Sequence, residues 1–248
     1  MRSDMRAARI SLTVLVSTLL WPGTAHADWS LGAFLGQAHT QTSTVVLTLP
    51  SQATQLDMIG VHYRGESFRS PQYYGVRVTW SPDSRRWLGL EGEWIHAKVY
   101  AEVDRVVQMQ GTLRGVPVDS SAPLSSLVQR LAMSHGLNFM LVNVAVRHGL
   151  GPVDTRGGHR VMAVVRAGAG PTFPHAESHV DHEAKDQYET GGLGVQVGGG
   201  LEYSLWRGLG ALGEYKFTWA SPEIEVAGGQ AMVPARSHHV VFGMTYGF

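Results

Sequence analysis

The sequence predicts an all-β protein, an eight-stranded antiparallel transmembrane barrel, and three observations predict it. The last thirteen residues, RSHHVVFGMTYGF (Arg236 to Phe248), put Phe248, Tyr246, Met244, Phe242 and Val240 on one face of a strand and Gly247, Thr245, Gly243 and Val241 on the other. The same alternation recurs along the chain, in segments joined by connections that are alternately short and long. No stretch after the N-terminal leader approaches the roughly 18–20 apolar residues that a membrane helix needs, so a membrane crossing falls to strands.

The first 27 residues read as a cleaved secretory signal. Arg2, Arg6 and Arg9 precede an apolar run from Ile10 to Leu20, and Ala25-His26-Ala27 is an A-x-A cleavage site. An uncleaved anchor is the other reading, but the run is short for one. No linker or change of composition divides residues 28–248, which are expected to form one barrel domain. Charged residues are 16% of the chain and glycines number 30, a balance that suits small lumen-facing and close-packed strand positions better than a helical enzyme. A formal net charge of zero argues against a nucleic-acid partner. Cysteine is absent, which excludes disulfides, thiol chemistry and cysteine-ligated metals.

The first strand is expected over Trp29 to Thr40, followed by a polar loop in which Leu56 to Tyr63 extends a strand above the membrane. The second runs from about Gln72 to Ser81, with Tyr74, Val76, Val78 and Trp80 alternating against Tyr73, Gly75, Arg77 and Thr79. Pro82 to Arg86 is a short turn, and the third strand spans Trp87 to Tyr100. A long excursion, Ala101 to Met133, contains Leu124, Leu127, Val128 and Leu131 at helical spacing, with Ser121 as N-cap and Pro123 in the first turn. Either a short rim helix forms there, or Val128 to Met133 extends the next strand. The fourth strand is placed at Ser134 to His148 and the fifth at Arg160 to Phe173, followed by a charged loop from Pro174 to Thr190. The sixth runs from Gly192 to Trp206 and turns tightly at Arg207-Gly208 into the seventh, Leu209 to Ser221; Arg236 to Phe248 is the eighth. The turns after strands two, four and six are the short set, so both termini fall on the periplasmic side of an outer-membrane barrel and the long loops on the other. An exported soluble sandwich is the alternative, and it would pack its aromatic faces together instead of ringing the two ends with them.

The polar faces of these strands send four cations (Arg77, Arg147, Arg166, Lys216) and four anions (Glu91, Glu93, Glu202, Glu214) into the lumen. An eight-stranded barrel is only wide enough for side chains to fill. Charges there must pair, which predicts a salt-bridged plug in place of a pore.

Histidine is the unusual residue, twelve in all. His148 and His159 flank a periplasmic turn, whereas His39, His62, His96, His135, His175, His179, His182, His238 and His239 fall at the upper strand ends or in the outer loops. Imidazoles supply acid–base groups and metal ligands near neutral pH. His175, Glu177 and His179, at i, i+2 and i+4, aim three ligand-type side chains one way on an extended strand and form a candidate divalent-metal site. His96, Lys98 and Tyr100 share a face at the top of the third strand, beside His135 and Asn138 on the fourth. These make His96, Lys98, His135 and Asn138 the candidate catalytic set. Ser237 and His239 share a face on the last strand and have the spacing of a nucleophile–base pair. Ser134 and His135, as strand neighbours, are expected to point apart.

Four stretches, GESFRSPQYYGVRVTW (Gly65 to Trp80), WIHAKVYAEV (Trp94 to Val103), MSHGLNFMLVNVAVR (Met133 to Arg147) and GAGPTFPHAES (Gly168 to Ser178), resemble the lipid A oxidase family of outer-membrane barrels. The resemblance implies an enzyme that uses O2 to oxidise the proximal glucosamine of lipid A to 2-aminogluconate, releasing hydrogen peroxide. It carries over no catalytic residue; the site residues above rest on position and chemistry. Flavin and nicotinamide cofactors do not suit a chain without a dinucleotide fold, and oxygen use is then most easily explained by a divalent redox metal held by His and Glu. The expected partner is lipid A or lipopolysaccharide of the outer leaflet, met from the side by a monomeric barrel in the bacterial outer membrane. Two other classes stay open: a structural or adhesive barrel, and a lipid A deacylase or acyltransferase built on a Ser–His pair.

Overall fold

The computed structural model describes residues 29–153 and 158–248, so the expected leader and part of the turn after the fourth strand lie outside the described residues. In chain order the strands are β1 (Trp29–Thr40), β2 (Ser43–Leu49), β3 (Thr54–Val61), β4 (Tyr63–Arg64), β5 (Tyr74–Trp80), β6 (Leu88–Ala101), β7 (Val106–Leu113) and β8 (Val116–Pro123). They continue with β9 (Val128–Val153), β10 (His159–Val180), β11 (Glu183–Tyr188), β12 (Leu193–Trp206), β13 (Leu209–Ala220), β14 (Glu223–Val226), β15 (Gly229–Met232) and β16 (Ala235–Gly247).

Eight of these, β1, β5, β6, β9, β10, β12, β13 and β16, form a closed antiparallel barrel. Each pairs with the next, and β16 returns to pair with β1 from Ser30–Gly247 to Thr40–Ser237. Their outward side chains form an apolar band that includes Leu35, Val78, Leu90, Val142, Val165, Leu201 and Phe242, all exposed on the barrel wall. Trp29, Trp80, Tyr203, Trp206 and Phe248 ring the short-turn end; Tyr74, Trp94, Phe173, Tyr215 and Trp219 lie toward the other. An apolar belt between two aromatic girdles is the surface of a transmembrane barrel, and a closed ladder leaves no backbone group unpaired in hydrocarbon. The architecture is that of a bacterial outer-membrane barrel.

The expected plug fills the lumen. Arg77 contacts Glu93 at 2.9 Å, Glu214 at 3.1 Å and Glu91 at 3.6 Å. Arg166 reaches Glu91 at 2.8 Å and also meets Glu214 and Glu202. Arg147 joins Glu91 to Glu202, and Lys216 is bonded to Glu93 and lies 3.6 Å from Glu214. All eight charges thus belong to one network, to which Asn143 and Gln196 add hydrogen bonds on Glu93.

Above the membrane the chain departs from expectation. The long loops carry a second, six-stranded sheet in the order β14-β15-β2-β3-β7-β8. Residues Thr54–Val61 are extended, as expected, but belong to this sheet and do not prolong a barrel strand. Its inner face, with Val45, Leu47, Leu56, Met58, Val107 and Met109, packs with Leu124, Leu131, Met133 and Val180 in one apolar core. No rim helix forms among the described residues: Leu124–Ser126 is a single 3-10 turn, and Val128 begins β9. The reason is a partner strand. Val128 to Met133 pairs with Val180 to Ala176 of β10, and this ladder outweighs a helix too short to be stable alone. The segment Pro174 to Thr190, expected as a loop, is likewise a β10–β11 hairpin whose turn residues Asp181 and His182 both have positive φ, 50° and 67°, the backbone a two-residue hairpin turn requires.

The plug makes a direct prediction. Glu93→Ala leaves Lys216 and Arg77 short of a carboxylate in a sealed lumen and should lower the unfolding free energy in detergent by about 3–5 kcal/mol, read as a reduced denaturant midpoint. Asp83→Ala, which removes an exposed pair with Arg86 at 3.4 Å, should leave the midpoint in place. Equal midpoints for wild type and Glu93→Ala would remove the plug from the account of stability.

Candidate functional site on the outer barrel wall

Strands β6, β9 and β10 are neighbours in the barrel and continue past the Trp94–Phe173 girdle, whose rings stack 6.4 Å apart. A membrane crossing takes about 9–11 tilted strand residues; β9 has 26 and β10 has 22. The alternation that sends Leu90, Trp94, Met140, Val142, Val165 and Pro171 toward lipid continues upward. It therefore sets His96, Lys98, Tyr100, Asn138, His175, Glu177 and His179 on the outside of the wall, above the lipid-facing band.

A bulge interrupts β9 at this level. Met133 pairs with Val99 of β6 and Ala176 of β10, whereas Leu137 pairs with Ala97 and Pro174. Ser134, His135 and Gly136 consequently stand opposite the single residues Lys98 and His175, and the strand arches outward. Gly136 has φ of +98°, and a Cβ there would lie 2.5 Å from His96 Nδ1 and 2.7 Å from Asn138 Oδ1. Only glycine lets the arch close over that pair.

Beneath the arch, His96 Nδ1 lies 2.8 Å from Asn138 Oδ1, and the imidazole stacks on Tyr74 with centroids 5.0 Å apart. The Asn138 amide donates to the Phe173 carbonyl at 2.9 Å. That contact turns its oxygen toward His96, so Nδ1 carries the hydrogen and the enclosed Nε2, which has no hydrogen-bond partner, is left as the acceptor. Lys98 is buried and donates to the Arg69 carbonyl at 3.0 Å. Burial lowers its pKa, with Arg69 acting in the same sense and Glu66 opposing. Beside it, Arg64, Lys98 and Arg130 each place a cation 5.7–6.0 Å from the Tyr100 ring centroid.

At the crown of the arch the Ser134 hydroxyl donates to Glu177 Oε1 and lies 3.1 Å from His135 Nδ1. The expectation that these strand neighbours point apart fails, because the bulge breaks the alternation. Glu177 Oε2 accepts from Arg130 Nε at 2.7 Å. Burial opposes the Glu177 charge, but the Ser134 and Arg130 hydrogen bonds outweigh it and hold the carboxyl below its ordinary value. His175 Nδ1 and His135 Nδ1 lie 4.0 Å and 3.9 Å from Glu177 Oε1. The His135 and His175 rings meet edge to face at 4.6 Å, and Tyr188 closes on His175 from β11 at 4.3 Å. His175 Nε2 faces Asp186 Oδ1 at 3.0 Å.

Of the expected ligands, then, His175 and Glu177 come together, and His135 takes the third place instead of His179. The rise of a strand explains this: residues four apart are about 13 Å apart along it, so His175 and His179 share a face but not a ligand. The four candidate catalytic residues do gather. His96 and Asn138 are a cross-strand pair, and Lys98 stands opposite the bulge that carries His135. Ser134 was named and set aside as pointing away from His135, and Arg130, Asp186 and Tyr188 were missed; Asp186 and Tyr188 stand at i and i+2 in a segment read as loop, and that spacing was the available signal. On the far wall, Ser237 and His239 do not pair: Ser237 bonds Thr40 and His239 bonds Thr218, each at 2.8 Å, and both are enclosed.

No family model matches the chain, and no curated relative does. Among solved structures it is similar to Neisserial surface protein A, at 8% identity over 90% of this chain and 98% of that one, with a TM-score of 0.45. It is also similar to the outer membrane protease OmpT of Escherichia coli (8% identity, 91% and 98% covered, TM-score 0.43) and the N-terminal β-barrel domain of Pseudomonas aeruginosa OprF (10%, 88% and 97%, 0.39). Likeness at these values bears on neither activity nor site.

The Ser134–Glu177 contact predicts a pH effect. Because the folded-state pKa of Glu177 is depressed, its charge stabilises the fold above the ordinary carboxylate range, and that contribution is lost as pH falls through the folded value. Ser134→Ala should move the Glu177 carboxyl titration upward, followed by carbon NMR of glutamate-labelled protein. An unmoved titration would mean that Arg130 alone sets it.

Proposed function

We propose that this barrel is an enzyme that modifies lipid A in the outer leaflet, oxidising its proximal glucosamine to 2-aminogluconate with O2. The observation that carries the reading is the place of the cluster: His96, Lys98, His135, Asn138, His175 and Glu177 stand on the outside of the wall, above its lipid-facing apolar surface. A lipid whose acyl chains lie along Met140, Val142 and Val165 brings its sugars to that level. The choice of reaction rests on the resemblance of the four sequence stretches to lipid A oxidases.

In this reading the cations around Tyr100 receive an anionic group of the headgroup. His135, whose side chain is half exposed, stands where the anomeric hydroxyl of the sugar arrives. The enclosed His96–Asn138 pair supports the arch that holds His135. The sugar carbon gives up two electrons and two protons, which O2 takes to become hydrogen peroxide; water then opens the lactone, and the sugar has gained one oxygen. A redox metal, when bound, supplies the chemistry that lets O2 accept those electrons.

A second reading has its own support. The Ser134–His135 contact at 3.1 Å is a nucleophile–base spacing, which favours removal of an acyl chain. A structural or adhesive barrel requires none of the cluster.

Mass spectrometry of lipid A from cells with and without the gene separates the three. The expected result is a gain of one oxygen that is lost in His135→Ala, still folded. An acyl-sized loss dependent on Ser134 would replace the oxidation with deacylation, and an unchanged spectrum would overturn both.

A further inference from the structure

We propose that His135, His175 and Glu177 bind one first-row divalent transition-metal ion, with Asp186 as the residue that orients His175. This deepens the reading above, on which the catalytic use of the ion rests; the binding itself is measured separately.

One ligand atom from each of the three residues lies within 4.8 Å of the other two, and the Nδ1 atoms of His135 and His175 stand 3.9 Å and 4.0 Å from Glu177 Oε1. Metal–nitrogen bonds of about 2.0–2.1 Å set neighbouring ligand atoms about 3.0–3.4 Å apart, so closure asks for side-chain rotation and no movement of strands. His175 is the stronger argument. Its Nε2 stands 3.0 Å from Asp186 Oδ1, a carboxylate contact that favours the hydrogen on Nε2 and the lone pair on Nδ1. That Nδ1 is fully buried and has no hydrogen-bond partner. A buried acceptor without a donor is costly and rare, and this one sits 4.0 Å from a carboxylate oxygen. A cation between the two satisfies both. The carboxylate–imidazole–ligand-site order of Asp186, His175 and the open Nδ1 is the arrangement that fixes tautomer and ring direction in metal centres. Tyr188 and His135 hold the same ring from two sides.

Glu177 is divided suitably. Arg130 occupies Oε2, while Oε1 faces the two imidazoles and Ser134. Two imidazoles and a carboxylate suit iron(II), zinc or manganese and not magnesium or calcium, which prefer oxygen ligands. Three protein ligands leave coordination positions for substrate, and the half-exposed His135 puts them on the open side of the wall.

The test uses tag-free, full-length barrel folded in detergent, stripped with chelator and titrated with Zn2+, Mn2+, Fe2+ under anaerobic conditions, and Mg2+, reading stoichiometry by calorimetry and elemental analysis. The expected result is one transition-metal ion per barrel and no Mg2+. Stoichiometric binding should be lost in His175→Ala and Glu177→Gln and weakened by about 10–100-fold in Asp186→Asn, but kept in His179→Ala. Each variant is first shown to fold by its heat-modifiable migration. Substoichiometric uptake by the wild type, or equal uptake by the folded His175→Ala and Glu177→Gln variants, would overturn the site. So would Mg2+ binding as tight as Zn2+. Stoichiometric binding with an unchanged lipid A spectrum would uphold the site and overturn the oxidation. Oxidation by metal-free protein would uphold the oxidation and overturn the metal.

Discussion

Everything in this molecule depends on the ladder between its first and last barrel strands. Within hydrocarbon no water can satisfy a backbone amide, so the sheet has to close. The β1–β16 register, from Ser30–Gly247 to Thr40–Ser237, is where it does so. Closure with eight strands fixes a narrow interior, and the narrow interior in turn requires that Arg77, Arg147, Arg166 and Lys216 meet Glu91, Glu93, Glu202 and Glu214 in one network. With the lumen filled by those side chains, the surface left for chemistry is the outside of the wall and whatever the outer loops add.

The outer loops add a core of their own. Six short strands above the membrane bury Val45, Leu47, Leu56, Met58 and their neighbours against the prolonged strands β9 and β10. This explains how those two strands stay ordered so far beyond the bilayer: one face packs on the apolar core of the outer sheet. The other face carries His135, His175 and Glu177. The apolar core and the titratable cluster are therefore divided between the two faces of the same strands.

Much of the barrel was legible in the sequence, and the reason is the period of two. β1 falls where alternation put it, Trp29–Thr40, and the lumen charges follow from the same alternation. Part of the outer sheet was less legible because its strands are short: β14 and β15 have four residues each, too few to show a period. In the site, the His96–Asn138 pair was legible because the two face each other across adjacent strands. The Ser134–His135 contact was not, since a bulge is set by tertiary pairing and Gly136 alone hints at it. The expected His175–Glu177–His179 grouping comes together only in part, for a related reason. Spacing along one strand found His175 and Glu177, but the third residue came from the strand beside it, a neighbour that linear spacing does not reveal.

The bulge has one further property, visible in its arithmetic. Four steps of β9, Met133 to Leu137, cover what two steps cover on β6 and β10. The surplus is even, so the strand leaves the arch in the same phase in which it entered, and Leu137, Phe139 and Leu141 still face inward. A surplus of one would have turned the remainder of β9 inside out and set apolar residues where the lumen charges need partners. The arch is thus an in-phase bulge, and the inward and outward faces of the strand below it are unchanged by it. The cluster-bearing arch and the membrane-spanning strand below it keep one phase across a surplus of two residues.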